Sequence, residues 1–344
     1  MMQKRSIVLF CLAAVLLSVS CKKNRFKRNE FLEQMYDYKI TPEIQQARQS
    51  FEVFNNDWNS YTASLSSDKL ESSKASLMQA LKDIEYIRFY NLGDIAKIYI
   101  YNTFSKTSPN TEGLWEYYET TNTFAQNDIA SLPNTQRGIY LAEYLLFGPY
   151  APDSVGTEKY NLLITAVSAD ALDNLNSLET AWEVYEKNFL KMTDDGVDGS
   201  YNILNNRIIH SIEDVVAKWL NPVLDSNDPT VAPGFYSKTY LDNVKIQVQQ
   251  IYDVYLGKGT SDFNSIHTSL RKKNKKLADN MQNDFDELIS YQNQLTMPIE
   301  HYVAEDISPI EEYKSMLKDL LVKFKLDVAT ELDIIITIGD TDGD

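Results

Sequence analysis

Apolar residues recur every three or four positions over long stretches of this 344-residue chain. The longest regular run places them at Leu163, Val167, Ala171, Leu175, Leu178, Trp182, Tyr185 and Phe189. Steps of three and four residues put these side chains on one face of an α-helix, and the run is too long for a strand. The sequence therefore predicts long amphipathic helices, each with one buried face.

Composition agrees with a helical, globular chain. Glycine and proline number only 12 and 10, which disfavours an all-β fold with frequent turns. Hydrophobic residues make up 43%, enough for a sizeable core. Lys and Arg total 33 against 49 Asp and Glu, a net charge of −16. Because phosphate binding needs a clustered basic surface, we expect no nucleic-acid partner.

Residues 1–21 have the pattern of a bacterial lipoprotein signal peptide. Basic residues Lys4 and Arg5 precede an apolar run from Ile7 to Leu17, and small residues precede Cys21. The run is too short to span a bilayer of roughly 30 Å. Cys21 is therefore the predicted lipidation site, which would attach the chain to a membrane of the cell envelope, at its periplasmic face or at the cell surface. A soluble secreted protein is the alternative.

The remaining chain divides at two places. Thr41-Pro42-Glu43 has the hydroxyl, proline and acid that are typical of a helix start, so residues 22–40 are predicted to be a tether. Acids and two glycines interrupt the helical pattern at 193–199, where we place a domain boundary. Apolar stripes resume afterwards at 204–219, 240–255, 277–288 and 313–328.

These patterns predict an all-α fold of two helical-bundle domains, each with about four helices. The first bundle would comprise residues 41–195 and the second residues 200–338. The β-branched run at 334–338 is too short for a helix and predicts a short extended tail, which residues 339–344 continue as an acidic end.

The three histidines offer few catalytic arrangements. His210 and Glu213 are three residues apart, and His301 and Glu305 are four apart, so each pair could share a helix face and contribute to a metal site. A solvated or hydrogen-bonded histidine is the alternative in both cases. His267 has no carboxylate at such spacing. The sequence contains no His-Glu-x-x-His, Gly-x-Ser-x-Gly or phosphate-binding loop.

Residues 137–148 carry the most informative motif, Arg-Gly-Ile-Tyr-Leu-Ala-Glu-Tyr-Leu-Leu-Phe-Gly. This segment resembles the signature of the imelysin-like proteins, the peptidase M75 group: Gly-x-His-x-x-Glu followed by Tyr-Leu-Leu-x-Gly. Gly138 and Glu143 match it, whereas Tyr140 stands in the histidine position. The acidic end at 340–344 is also similar to the C-terminus of lipoproteins in this family.

The resemblance implies a two-bundle protein of the cell envelope, often linked to iron acquisition, with the motif near the domain interface. Gly138, Tyr140 and Glu143 are then the candidate ligand-binding residues, and iron or an iron complex is the expected cargo of a binding protein. A metal-dependent peptidase is one alternative. The other is a non-catalytic scaffold that meets a protein partner in the envelope.

Tyr140 changes the chemistry of this motif. A phenol, with an ordinary pKa of about 10, cannot replace a neutral imidazole as a zinc ligand. Tyrosinate and carboxylate do suit ferric iron, so Tyr140 and Glu143 are candidate iron(III) ligands. Structural and catalytic roles stay open; in the structural role Tyr140 fills the space between domains and Glu143 accepts hydrogen bonds, assisted by Arg137 or another cation. Gly138, if helical, costs about 1 kcal/mol relative to alanine and indicates close approach of a helix or a ligand.

Overall fold

The computed structural model describes residues 26–107, 109–194 and 196–337, and every regular element within them is a helix. The predicted all-α class is therefore confirmed. Residues 1–21 with Cys21, and the acidic end at 339–344, lie outside the described residues. Within the described part, none of the helices combines the length and the apolar composition needed to cross a bilayer.

The first half of the chain is built on three long helices joined by short ones. Its helices are α1 (Arg28–Met35), α2 (Thr41–Ala63), α3 (Ser67–Ile87), α4 (Gly93–Lys97), α5 (Ile100–Phe104), α6 (Thr111–Thr120), α7 (Gln126–Ala130), α8 (Ile139–Phe147), α9 (Ala151–Ser154) and α10 (Glu158–Lys191). Helices α2 and α3 form an antiparallel hairpin, and α10 packs against α2. The apolar stripe of α10 is buried along its whole length, as its spacing predicts.

The second half contains the four helices that the sequence predicts, together with short ones that it does not. They are α11 (Ser200–Asp214), α12 (Asn221–Ser226), α13 (Tyr240–Leu256), α14 (Ile266–Lys273), α15 (Lys275–Gln292), α16 (Ile299–Glu305), α17 (Ser308–Lys323) and α18 (Ala329–Leu332). Wider π-helical turns continue α11 to Leu220 and α17 to Val328. The predicted stripes fall in α11, α13, α15 and α17 with these extensions.

The predicted tether at 22–40 is helical where the structure describes it, from Arg28 onward. Phe31, Leu32 and Met35 of α1 are fully buried, and burial of apolar surface favours this extension of the helix. A π-helical turn at Tyr36–Ile40 joins α1 to α2, so the chain is already helical where α2 begins at Thr41. Pro42 cannot donate to the carbonyl of Tyr38, which instead accepts a 2.7 Å hydrogen bond from the Thr260 amide.

The buried apolar side chains form one continuous cluster that extends through both halves of the chain. The division into two bundles at 193–199 stays a prediction. Beyond α18, residues 334–337 are extended, in agreement with the predicted tail. Their backbone is held by side chains of α11: Asn202 pairs with both the amide and the carbonyl of Ile335, and His210 contacts the carbonyl of Thr337 at 3.0 Å.

Candidate functional site

Gly138 precedes α8 and is not part of the helix. Its φ is +91°, a backbone conformation that favours glycine. A Cβ atom at this position would lie 2.6 Å from the carbonyl oxygen of Phe104. The close approach that the sequence indicates is therefore made by the backbone at the end of α5, and it fixes where α8 begins.

Tyr140, on the first turn of α8, points into the interior and is only 1% exposed. Its hydroxyl donates a 2.7 Å hydrogen bond to Glu85 Oε1 of α3 and accepts one of 3.3 Å from Asn243 Nδ2 of α13. The ring packs edge-on against Trp219, with centroids 6.3 Å apart. Tyr140 thus joins the first half of the chain to the second.

Glu85 is the centre of this network, and its side chain is completely buried. Arg88 donates to it through Nε and Nη2, both at 2.7 Å, and Gln247 Nε2 donates at 2.9 Å. With Tyr140, the two carboxylate oxygens accept four hydrogen bonds. Arg88 also donates to the carbonyl of Ser105 at 3.1 Å, so the paired charges are well supplied with partners.

Helix α13 presents a row of buried amides to the first half. Asn243, Gln247 and Gln250 follow one another at spacings of four and three, so they lie on one helix face. Gln250 donates to Glu43 at 2.6 Å and to the Tyr90 hydroxyl at 2.8 Å. The row therefore carries two polar networks, one around Glu85 and one around Glu43.

Electrostatics keep the Tyr140 hydroxyl protonated. Burial, and secondly the negative charge of Glu85, raise the pKa of Tyr140 well above its ordinary value. Burial acts to lower the pKa of Arg88, but the Glu85 charge outweighs it and the pKa is raised. The stable arrangement is a neutral phenol that donates to an ion-paired carboxylate.

Glu143 lies one turn after Tyr140 but contacts a different part of the second half. It is 3% exposed, and its Oε1 accepts a 2.7 Å hydrogen bond from the backbone amide of Ser237, in the loop before α13. Burial raises the pKa of Glu143 to about 7, against hydrogen bonds from Ser237 and Tyr236 that lower it. The expected help from Arg137 is absent, because Arg137 pairs with Asp170 of α10 at 2.9 Å.

The motif residues do not fit a bare metal ion as they are arranged. Tyr140 and Glu143 are each bonded to another protein group, and the tyrosinate that ferric iron requires is disfavoured. The described residues include no group of three or more His, Cys, Asp or Glu side chains that could hold an ion. A metal held by Tyr140 and Glu143 stays a prediction, and it would require both side chains to leave their present partners.

The space beside the network is also small. A cavity of about 10 Å³ borders Glu85, Arg88, Ser211 and Gln250, which is enough for one water molecule. An iron complex does not fit there while the two halves are packed as they are.

The histidine pairs do not form metal sites in the described residues. His210 contacts the carbonyl of Thr337, while Glu213 pairs with Lys325 of the π-helical turn after α17. His301 is exposed and packs beside Tyr302. His267 lies against the Tyr255 ring.

Glu85, at the centre of the Tyr140 network, was not identified from the sequence. It follows the apolar residues Leu81 and Ile84 of α3, and Arg88 comes three residues later. An acid and an arginine at this spacing beside a buried stripe are a signal of an ion pair, but the pattern does not reveal that Tyr140 is the third member. The amide row of α13 gives a clearer signal, since its polar residues flank the apolar stripe of Val244, Val248 and Ile251.

Known proteins resemble the chain over nearly its whole length. The imelysin family profile, of the peptidase M75 group, matches residues 40–318. An imelysin-like protein from Psychrobacter arcticum 273-4 has the same fold with a TM-score of 0.77 and 13% identity, over 90% of this chain and 96% of that one. A protein described as an iron-regulated protein A precursor, from Parabacteroides distasonis ATCC 8503, gives a TM-score of 0.70 and 17% identity, over 90% and 97%. No curated protein matches the chain.

The two solved structures, at these identities, show a shared fold. The family profile covers far more than half of the sequence and includes the motif at 138–143. The chain therefore belongs to the imelysin family, with Tyr140 in the position of the motif histidine.

Proposed function

We propose that this protein is an envelope lipoprotein, attached through acylated Cys21, that recognises an iron complex and has no peptidase activity. The family and the iron-regulated structural neighbour support a link to iron. The lipoprotein pattern of residues 1–21 supports the location.

The observation that carries the proposal is the hydrogen bond from Tyr140 to Glu85. A zinc peptidase needs an ion with an open coordination position, and this motif supplies a protonated phenol where the family has an imidazole. An iron complex already has its own oxygen or nitrogen ligands. Tyr140 and Glu143 would contact such cargo as hydrogen-bonding groups and not as ligands of the metal, and the two halves would have to part to admit it. Gly138 would take part through its backbone, because the space beside its Cα is filled by the backbone of Phe104.

Ferric titration of the full-length protein tests this role. We expect ferric chloride to produce no tyrosinate-to-iron absorption band, and ferric citrate or a ferric catecholate to be retained with the protein on gel filtration. Tyr140→Phe is the matched variant for the absorption measurement. A band that is present in the wild type and lost in this variant would assign iron directly to Tyr140 and overturn the proposal.

Peptidase activity has its own test. Zinc-loaded protein should leave a mixed peptide library intact after prolonged incubation. Cleavage that stops on addition of a chelator would contradict the proposal. Tyr140→His restores the family motif, and zinc binding that appears only in this variant would support loss of a metal site in this chain.

A protein-binding scaffold without a cargo site is the second candidate. The closed packing around Tyr140, with room for one water beside it, favours this function. It predicts that neither ferric complex is retained and that crosslinking in the envelope recovers a protein partner.

A further inference from the structure

Four large apolar residues are exposed on α10, on the loop after it and just after α4. Val184 of α10 is 75% exposed, Tyr99 67%, Ile98 54% and Val197 43%. Soluble proteins seldom leave several large apolar side chains together in water without a binding role. We call these four residues the entry patch.

The entry patch is described by two sets of contacts, one at a groove beside α10 and one at the loop that follows α10. Ile98 and Val184 line the same shallow apolar groove between α4 and α10, of about 510 Å³. Val197 lies in the loop after α10, and at the start of this loop the carbonyl of Asp194 accepts a hydrogen bond from Arg28 of α1. The first described turn of α1 is therefore adjacent to this loop.

Tyr99 has an unusual backbone. Its φ of +54° is left-handed, which costs roughly 1–2 kcal/mol for a residue with a Cβ atom. The ring is nevertheless presented to solvent and not packed in the core. Tyrosine is a residue that favours the boundary between lipid and water, because its ring is apolar and its hydroxyl is polar.

The short chain between Cys21 and α1 indicates what lies against the entry patch. Four residues lie between Cys21 and Phe26, and the five steps from one Cα to the next span at most about 18 Å even in a fully extended chain. Resting on the proposed lipid anchor, we propose that the entry patch is the surface of this protein that lies against the bilayer. Ile98, Tyr99, Val184 and Val197 insert at the boundary between headgroups and acyl chains. With a net charge of −16, the chain adheres there by apolar contact and not by general attraction to anionic lipid.

A single fluorescent label tests the orientation. Cys11 belongs to the predicted signal and an acylated Cys21 is a thioether, so Val184→Cys gives one reactive thiol in the mature lipoprotein. A nitrobenzoxadiazole dye at this position should brighten and shift to the blue when the lipoprotein is reconstituted in phosphatidylethanolamine–phosphatidylglycerol vesicles. Val53→Cys is the matched control, since Val53 is 52% exposed and lies about 38 Å along the helix from Arg28. Its dye should not respond.

The proposed lipid anchor and the proposed membrane contact of the entry patch can be tested separately. Mass spectrometry of the N-terminal peptide and flotation with vesicles report on acylation of Cys21. If acylation fails, a hexahistidine tag in place of Cys21 holds the chain on nickel-chelating lipid at the same point of the sequence, and the dye at position 184 still decides the orientation. Attached protein whose dyes at 184 and 53 respond equally would overturn the patch. A blue shift that appears without vesicles and grows with protein concentration would assign the patch to self-association and also overturn it.

Discussion

Tyr140 shows how one substitution changes the use of a motif. Histidine offers a lone pair to a metal, whereas a buried phenol offers a proton. Here that proton is donated to Glu85, whose charge is balanced by Arg88. Because burial raises the pKa of Tyr140, the hydroxyl remains a donor at all physiological pH values.

Removing this hydroxyl should destabilise the fold. Tyr140→Phe keeps the ring against Trp219 but deprives Glu85 of one donor and Asn243 of an acceptor. We expect a loss of about 1–3 kcal/mol in the free energy of unfolding, measured by urea denaturation. Tyr150→Phe is the control, because Tyr150 is 53% exposed, and its stability should match the wild type. Equal stability of the two variants would contradict a structural role for the hydroxyl.

Glu143 should make stability depend on pH. Its pKa is raised from 4.5 to about 7 by burial, so the folded protein binds a proton more tightly than the unfolded chain does. The stabilisation of the folded protein by this protonated carboxyl is fully present below about pH 4.3 and is lost as the pH rises towards 7. Glu143→Gln keeps an acceptor for Ser237 without this titration. Between pH 5 and 8 the variant should gain about 2–3 kcal/mol relative to the wild type in urea denaturation. A difference that does not change over this range would contradict the buried carboxyl.

For this protein the sequence predicts the helices and their buried faces better than any other feature of the structure. The spacing of apolar residues in α10 gives its buried face directly, and Gly138 is correctly identified as a position of close approach. Helix α2 begins at Thr41, as Thr41-Pro42-Glu43 predicts, but the helical path starts earlier, at Arg28. The local pattern does not reveal this extension, because the donor to the Tyr38 carbonyl that Pro42 leaves free is a distant residue, Thr260.

Helix α1 should behave as part of the core. Phe31→Ala removes a fully buried ring and should cost about 3–5 kcal/mol of unfolding free energy, measured by urea denaturation. Asp37→Ala, at an exposed position of the following turn, should change stability little. If both variants were as stable as the wild type, residues 28–40 would be a tether after all.

At the scale of the whole molecule, the two halves meet through polar groups as well as through the apolar core. Asn243, Gln247 and Gln250 of α13 reach Tyr140, Glu85 and Glu43, which come from three different helices of the first half. Local periodicity predicts each helix but contains no information about which helices face each other. The sequence therefore identifies Gly138, Tyr140 and Glu143 as neighbours on one segment and leaves their partners, Glu85 and Ser237, undetermined.

A double-mutant cycle between Tyr140 and Glu85 tests the central claim most directly. The free energies of unfolding of the wild type, Tyr140→Phe, Glu85→Gln and the double variant give the coupling between the two side chains. We expect a coupling of about 1–3 kcal/mol, as for a buried hydrogen bond to a charged group. A cycle between Tyr140→Phe and Tyr313→Phe, which removes the separate hydrogen bond to Gln292, should give a coupling near zero. The same near-zero result for Tyr140 and Glu85 would contradict the account.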